Sequence, residues 1–281
     1  MTIVDKSPIY FYSRVLLMKR FSSLFTLPSL SATLLVTSLG SLLSGCVIHI
    51  DGPASFSSND EHFSKQLSLS AAGISELLIH AESGDMEIKG VAGLDTITVA
   101  AKVWTSSKPE SDVGYNLILV EDGDKARLTA TQKPRDGFYF GSSAKIDLIV
   151  SMPAYMALSV DDESGDIVIS DVKGGVKIED QSGDIEVAHL THHLRINDES
   201  GDINIHHVDG DINIHDDSGE IEISHVSGEV FIDDASGDIT VSHVDNIVKI
   251  DDGSGDIEIN RVKTLKILES GSGELNVREG S

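Results

Sequence analysis

From residue 161 onward the apolar residues fall on an 18-residue ruler. One set is Ile203, Ile205, Val208, Ile212 and Ile214. The same positions one period later are Ile221, Ile223, Val226, Val230 and Ile232, and one period earlier Ile185, Val187, Leu190, Leu194 and Ile196. Ile203 with Ile205, and Ile212 with Ile214, alternate with polar residues, which is the period of a strand with one buried face. The second pair repeats the first after nine residues. Each period therefore predicts two short strands and two turns, with the five aliphatics pointing toward a shared axis.

Turn residues keep the same beat. Ser-Gly-Asp or Ser-Gly-Glu begins at Ser164, Ser182, Ser200, Ser218, Ser236, Ser254 and Ser272. Equal spacing of this kind is the mark of a solenoid, in which each repeat buries its apolar face only against its neighbours. A helix is excluded by the abundance of Gly and β-branched residues and by the absence of a 3.6-residue period. The expected fold is all-β: a narrow, right-handed, single-stranded β-solenoid of 18-residue coils, each made of two nine-residue units. Coils ~4.8 Å apart, about seven of them, make a rod of roughly 30 Å.

Residues 66–160 read as strands of less regular spacing, an irregular β region capping the regular solenoid of 161–281; a separate small β domain is the alternative. Ser83-Gly84-Asp85, followed by Met86 and Ile88, repeats the turn motif once in this region. At the other end Lys266 occupies the column of Val230 and Val248. Either Leu265 and Ile267 slip inward or Lys266 faces an open end, where Arg261, Lys263 and Arg278 also cluster and discourage edge-to-edge pairing.

The repeats Ser182 to Val187 and Ser236 to Val241, with Ile149-Val150-Ser151-Met152-Pro153-Ala154 before them, carry a resemblance. Over roughly residues 66–281 the chain resembles the β-strand-repeat family of bacterial domains of unknown function that bear an inferred adhesin label. The resemblance implies a right-handed β-helix on the cell envelope and brings no catalytic residues with it.

The N-terminal segment predicts location. Lys19 and Arg20 precede a mostly apolar stretch, Leu24 to Leu43, the pattern of an export signal. Leu43-Ser44-Gly45-Cys46 resembles the lipobox of bacterial lipoproteins, which implies cleavage before Cys46 and lipid attachment there. Pro28 and the many Ser and Thr residues oppose the alternative of an uncleaved membrane-spanning helix. The lone cysteine excludes an intrachain disulfide or a cysteine-based zinc cluster. Residues 1–45 form the expected signal, with translation starting at Met18, and residues 46–65 the lipidated cysteine and a flexible tether. Val47 in place of Asp favours, by resemblance to lipoprotein sorting, the outer membrane of a Gram-negative bacterium.

Net charge sharpens the picture. The whole chain carries -25, and the charges of residues 1–45 sum to +3, which leaves -28 on the remainder. Such a chain repels phosphate, which excludes nucleic-acid partners. Aromatic residues at 5% argue against an aromatic-lined pocket, and 40% apolar residues exclude wholesale disorder.

Stacking turns each outward position into a column, and acidic and imidazole columns are expected on the outside. Asp162, Asp180, Asp198, Asp216, Asp234 and Asp252 precede the repeat serines by two positions. Asp166, Asp184, Asp202, Asp238 and Asp256 follow them by two. These carboxylates read as acceptors for turn N–H groups. The sharper reading is a calcium ladder, since oxygen-rich columns suit a hard cation. The Gly-Gly-x-Gly-x-Asp pattern of calcium-binding β-rolls is missing, so no cofactor is required. His189, His207, His225 and His243, continued by Arg261, form a second column, a candidate for metal capture or a pH response. Lys177, Arg195, Phe231 and Lys249 form a candidate face for an anionic envelope glycan or an acidic protein partner, and Phe138-Tyr139-Phe140 is a further candidate contact.

A catalytic site is a unique constellation, whereas these residues recur as columns. G-x-S-x-G, H-E-x-x-H and P-loop motifs are all missing from the sequence. The reading is a non-catalytic, lipid-anchored envelope protein for adhesion or scaffolding. The alternatives are a cation-binding or envelope-stress accessory lipoprotein and, more remotely, a polysaccharide-active enzyme.

Overall fold

The computed structural model describes residues 49–50, 62–104, 114–133 and 144–278. The chain divides into two units, Met1–Leu42 and Leu43–Ser281, and all described residues belong to the second. Among them no helix is long and apolar enough to cross a membrane.

Two columns of parallel strands build the solenoid, which runs for about seven turns. One face stacks Ile167–Ser170, Ile185–Leu190, Ile203–Val208 and Ile221–Val226, then the first parts of Ile239–Ser254 and Ile257–Ser272, and ends on Leu275–Arg278. The opposite face stacks Ala157–Asp162, Val176–Asp180, Leu194–Asp198, Ile212–Asp216 and Val230–Asp234 before joining the same long strands. Partners lie eighteen residues apart, as in Ile203 with Ile221 and Ile212 with Val230. Between the faces Ile203, Ile205, Val208, Ile212 and Ile214 are buried, as are their equivalents in adjacent rungs.

The last rung departs from the ruler for a local reason. Val248 pairs with Leu265 and Ile250 with Ile267, seventeen residues apart, before Asp251 pairs with Glu269. One corner is shortened by a residue, and an irregularity beside Leu268 restores the count. Leu265 and Ile267 therefore pack against the core while Lys266 stays exposed, which settles the alternative posed by the sequence.

The N-terminal part extends both faces out of chain order. Glu76–Ala81 and Met86–Val91 form a rung that is parallel on one side to Ala157–Asp162 and Ile167–Ser170. On its other side it is parallel to Lys125–Gln132 and Lys145–Pro153, so it lies between two rungs that follow it in sequence. Antiparallel strands then finish the end: Thr96–Trp104 and His62–Ser70 on one face, Tyr115–Asp122 on the other. The lone Ser83-Gly84-Asp85 now has its explanation. Gly84 N–H donates to Ser164 O and Met86 N–H to Asp166 O, so the motif sits one rung above the first regular repeat.

Candidate functional site

The Ser-Gly-Asp corner is a three-part clip between rungs. The serine hydroxyl donates to a carbonyl of the preceding rung: Ser200 to Gln181 at 3.1 Å, Ser218 to Glu199 at 3.3 Å, Ser236 to Asp217 at 3.2 Å. Glycine follows with φ of +141° at Gly201, and a Cβ there would be driven into the carbonyl oxygen of Gly183. Both the backbone conformation and the close approach exclude larger residues. The acidic residue then accepts the N–H of its counterpart one rung on: Asp166 from Asp184 at 3.2 Å, Asp184 from Asp202 at 3.1 Å, Asp238 from Asp256 at 2.9 Å. The carboxylates at 166, 184, 202, 238 and 256 thus tie rungs together rather than closing their own turns.

The other acidic column corrects the sequence reading. Asp162, Asp180, Asp198, Asp216, Asp234 and Asp252 do not line the outside; they point into the solenoid and are 0–3% exposed. Strand parity puts them there, since Ile212, Ile214 and Asp216 alternate inward. Oδ1 accepts a turn N–H in most of them, from Ser200 at 3.3 Å for Asp198 and from Ser236 at 3.0 Å for Asp234. Oδ2 of Asp180, Asp198, Asp216, Asp234 and Asp252 has no hydrogen-bond partner among the described residues. Burial, with Asp180 and Asp216 repelling from the adjacent rungs, pushes the Asp198 carboxyl up to about 7. Burial raises Asp162, Asp180 and Asp234 to about 7 as well, and Asp216 to about 6. One acidic column is therefore buried inside the wall and the other exposed outside it.

A second corner carries the imidazoles. His189, His207, His225 and His243 have φ between +55° and +59°, and Asp171 (+61°) and Arg261 (+55°) at the two ends of the column share this left-handed conformation. Two residues separate the inward Ile205 from Val208, and the chain turns between them through this left-handed residue. The rings stack: His207 on His225 with centroids 4.9 Å apart and 4° between planes, His225 on His243 at 4.7 Å and 2°. At one end Arg261 Nη1 lies 3.0 Å from His243 Nε2; a guanidinium only donates, so Nε2 accepts. Near the other end His189 meets His207 at 5.2 Å and 27°. His206, which the sequence reading did not single out, stands edge-on to both, 5.9 Å from His189 and 5.5 Å from His207. The imidazoles and the column of Thr191, Asp209, Ser227 and Asp245 line a groove of about 580 Å³. Among the described residues no three His, Cys, Asp or Glu side chains converge as preformed metal ligands.

The strip of Lys177, Arg195, Asn213, Phe231 and Lys249 is continuous, each residue paired in register with the next. Its charges are partly neutralised: Lys177 pairs with Glu179 at 2.6 Å and Lys249 with Glu229 at 3.0 Å. Arg195 has no carboxylate within ion-pair distance among the described residues. Cys46 and Phe138-Tyr139-Phe140 lie outside the described residues.

With the rungs and their corners established, comparison with known proteins fixes the family. A family model described as Toastrack DUF4097 matches residues 74–280. The chain belongs to this family. The Toastrack match spans the out-of-order rung and the regular repeats together, so it treats both as one unit. Among solved structures, a candidate adhesin from Bacteroides fragilis is 13% identical with a TM-score of 0.39, covering 78% of this chain and 97% of that one. A candidate lipid binding protein from Parabacteroides distasonis is 16% identical with a TM-score of 0.38, covering 77% and 97%. A candidate cell adhesion protein from Clostridium sporogenes is 12% identical with a TM-score of 0.30, covering 79% and 100%. No curated protein matches the chain.

Proposed function

We propose that this Toastrack chain is a non-catalytic, lipid-anchored protein of the cell envelope that holds out a stiff β-solenoid for adhesion or scaffolding. The observation that carries the reading is the fate of its polar side chains. Serine hydroxyls and outer carboxylates, the groups a hydrolase would use, are spent rung after rung on holding the stack together. What repetition leaves for a partner is a long surface, and the strip from Lys177 through Arg195 and Phe231 to Lys249 is its cationic line on an acidic molecule. Arg195, without an ion-pair partner among the described residues, is the group on that line with a guanidinium to offer an anionic glycan or an acidic protein surface. Anchoring rests on the lipobox-like run ending at Cys46, and the outer membrane on Val47 after it.

Two experiments test this. Labelling cells with a radioactive fatty acid should mark the protein and fail to mark Cys46→Ser; an unlabelled wild type removes the anchor. Binding of the purified protein to an envelope-glycan panel should drop when Lys177, Arg195 and Lys249 are all replaced by Ser. Binding unchanged by the triple substitution removes the strip as the contact.

A further inference from the structure

We propose that the strand Leu275–Arg278 pairs edge to edge with the same strand of a second copy of this chain, forming a two-fold dimer at the last rung of the solenoid. The proposal rests on that rung alone and stands whether or not the rod serves adhesion or scaffolding.

Leu275–Arg278 stacks on Ile257–Asn260, and among the described residues no strand pairs with its other edge. Ile257 N–H donates to Glu274 O at 2.9 Å, so Glu274 and Asn276 turn their backbone groups back toward the preceding rung. N–H and C=O directions alternate along a strand, which aims those of Leu275 and Val277 at the open edge. The side chains are as incomplete as the backbone. Leu275 and Val277 continue the inward columns of Ile257 and Ile259, yet they are 44% and 47% exposed against 1% for the residues beneath them. A further strand gives the edge N–H and C=O groups partners and covers both aliphatics.

A second copy fits this edge in one register. A two-fold axis at Asn276 sets Leu275 opposite the second copy's Val277. Both are residues whose backbone groups face the edge, and each such pair exchanges two hydrogen bonds. Their side chains fall on the inward side and carry the apolar core across the join. On the outward side Glu274 comes opposite the second copy's Arg278, an opposite-charge pair made twice. An axis at Leu275 or at Val277 loses both of these pairs. Arg278 already reaches Glu258 of the preceding rung at 3.0 Å, and its guanidinium fork has donors for both carboxylates. The basic residues of this end thus select a register instead of blocking all pairing. Residues 257–278 carry Arg261, Lys263, Lys266 and Arg278 against Glu258, Glu269 and Glu274. This is close to neutral in a chain of net charge -25, so two copies repel little when they meet here. The same patch used twice closes the assembly at two copies.

The test sediments the full chain carrying Cys46→Ser over rising concentration, where a monomer–dimer equilibrium is expected. Val277→Pro removes an N–H aimed at the open edge and none that bonds to the preceding rung. It should abolish the dimer at concentrations where the parent associates, with strand circular dichroism unchanged. Glu274→Lys sets like charges opposite each other twice and should weaken association roughly 2- to 30-fold. In the same background Asn276→Cys should form a disulfide-linked dimer on mild oxidation, because residues on the axis lie within disulfide reach. The exposed Asn213→Cys, in the middle of the rod, should stay monomeric. A monomer at every concentration overturns the proposal. So does a dimer unchanged by both Val277→Pro and Glu274→Lys, or cross-linking of Asn213→Cys equal to that of Asn276→Cys.

Discussion

Asp198 sits inside the solenoid between Asp180 and Asp216, and its replacement by Asn makes a sharp test of the inward column. Burial first, then repulsion from the two neighbours, raises its carboxyl from the ordinary 3.8 to about 7; the N–H groups of Ser200 and Glu199 only partly oppose this. A carboxyl whose pKa is raised by folding contributes its stability in the neutral form. That contribution is complete below the unfolded value and is lost as pH rises from about 4 through about 7. At about 1.36 kcal/mol per pH unit the full loss is about 4 kcal/mol. Protons are shared along the column, so one substitution recovers less than this. Asn keeps an oxygen for the Ser200 N–H but carries no charge. Urea unfolding at pH 4.5, 6, 7 and 8 should show wild type and Asp198→Asn within about 1 kcal/mol of each other at pH 4.5. The gap should then open in favour of the variant toward pH 8. Curves that stay parallel over the whole range would refute the buried, proton-holding column.

Other positions give independent outcomes. Gly201→Ala forces a side chain into the Gly183 carbonyl at φ +141° and should lower stability by several kcal/mol in a denaturant melt; a loss under about 1 kcal/mol contradicts the corner packing. Ile223→Asp buries an unpaired charge and should remove the cooperative transition seen by circular dichroism, leaving protease-sensitive rungs. Asp184→Ala removes the acceptor of the Asp202 N–H and should cost about 1–2 kcal/mol, whereas Asp233→Ala, which loses only a contact with the exposed His215, should cost less. Asp147 is the opposite case to Asp198. Burial alone would raise it, but the Trp104 indole N–H at 3.0 Å, Lys145 at 3.1 Å and the Asp85 N–H outweigh that and lower it. Its stabilising effect is present above the ordinary carboxylate range and is lost progressively as pH falls below it, so Asp147→Asn should destabilise more at pH 7 than at pH 3.

The solenoid was legible because its cause is local and repeated. Ile-x-Ile pairs every nine residues dictate two strands per turn, and the glycine column is demanded by one recurring close approach. The inward aspartates do accept turn N–H groups, as their place before Ser-Gly suggests, and only their outward placement was misread. The parity of Ile212, Ile214 and Asp216 was the signal that places them inside. The imidazole corner had a signal too, since the spacing from Ile205 to Val208 breaks alternation and marks a bend. The company kept by His206 and Asp171 had none, because it depends on how rings lean between rungs. The out-of-order rung of Glu76–Val91 was hinted at by Ser83-Gly84-Asp85 alone. Which strands enclose it is decided by pairing across about 50–80 residues, and no local pattern encodes that.

Stacking with an 18-residue register is tested most directly by paired cysteines in a Cys46→Ser background. Asn204 and Glu222 are register partners on one face, whereas Asn204 and Asn213 lie on opposite faces. Register partners at the ~4.8 Å rung spacing fall within the Cα range a disulfide spans. Mild oxidation of Asn204→Cys/Glu222→Cys should yield an intramolecular disulfide in nearly all molecules, seen as a mass loss of two hydrogen atoms, and Asn204→Cys/Asn213→Cys should yield none. Equal cross-linking of both pairs, or none in the first, contradicts the stacked-rung architecture.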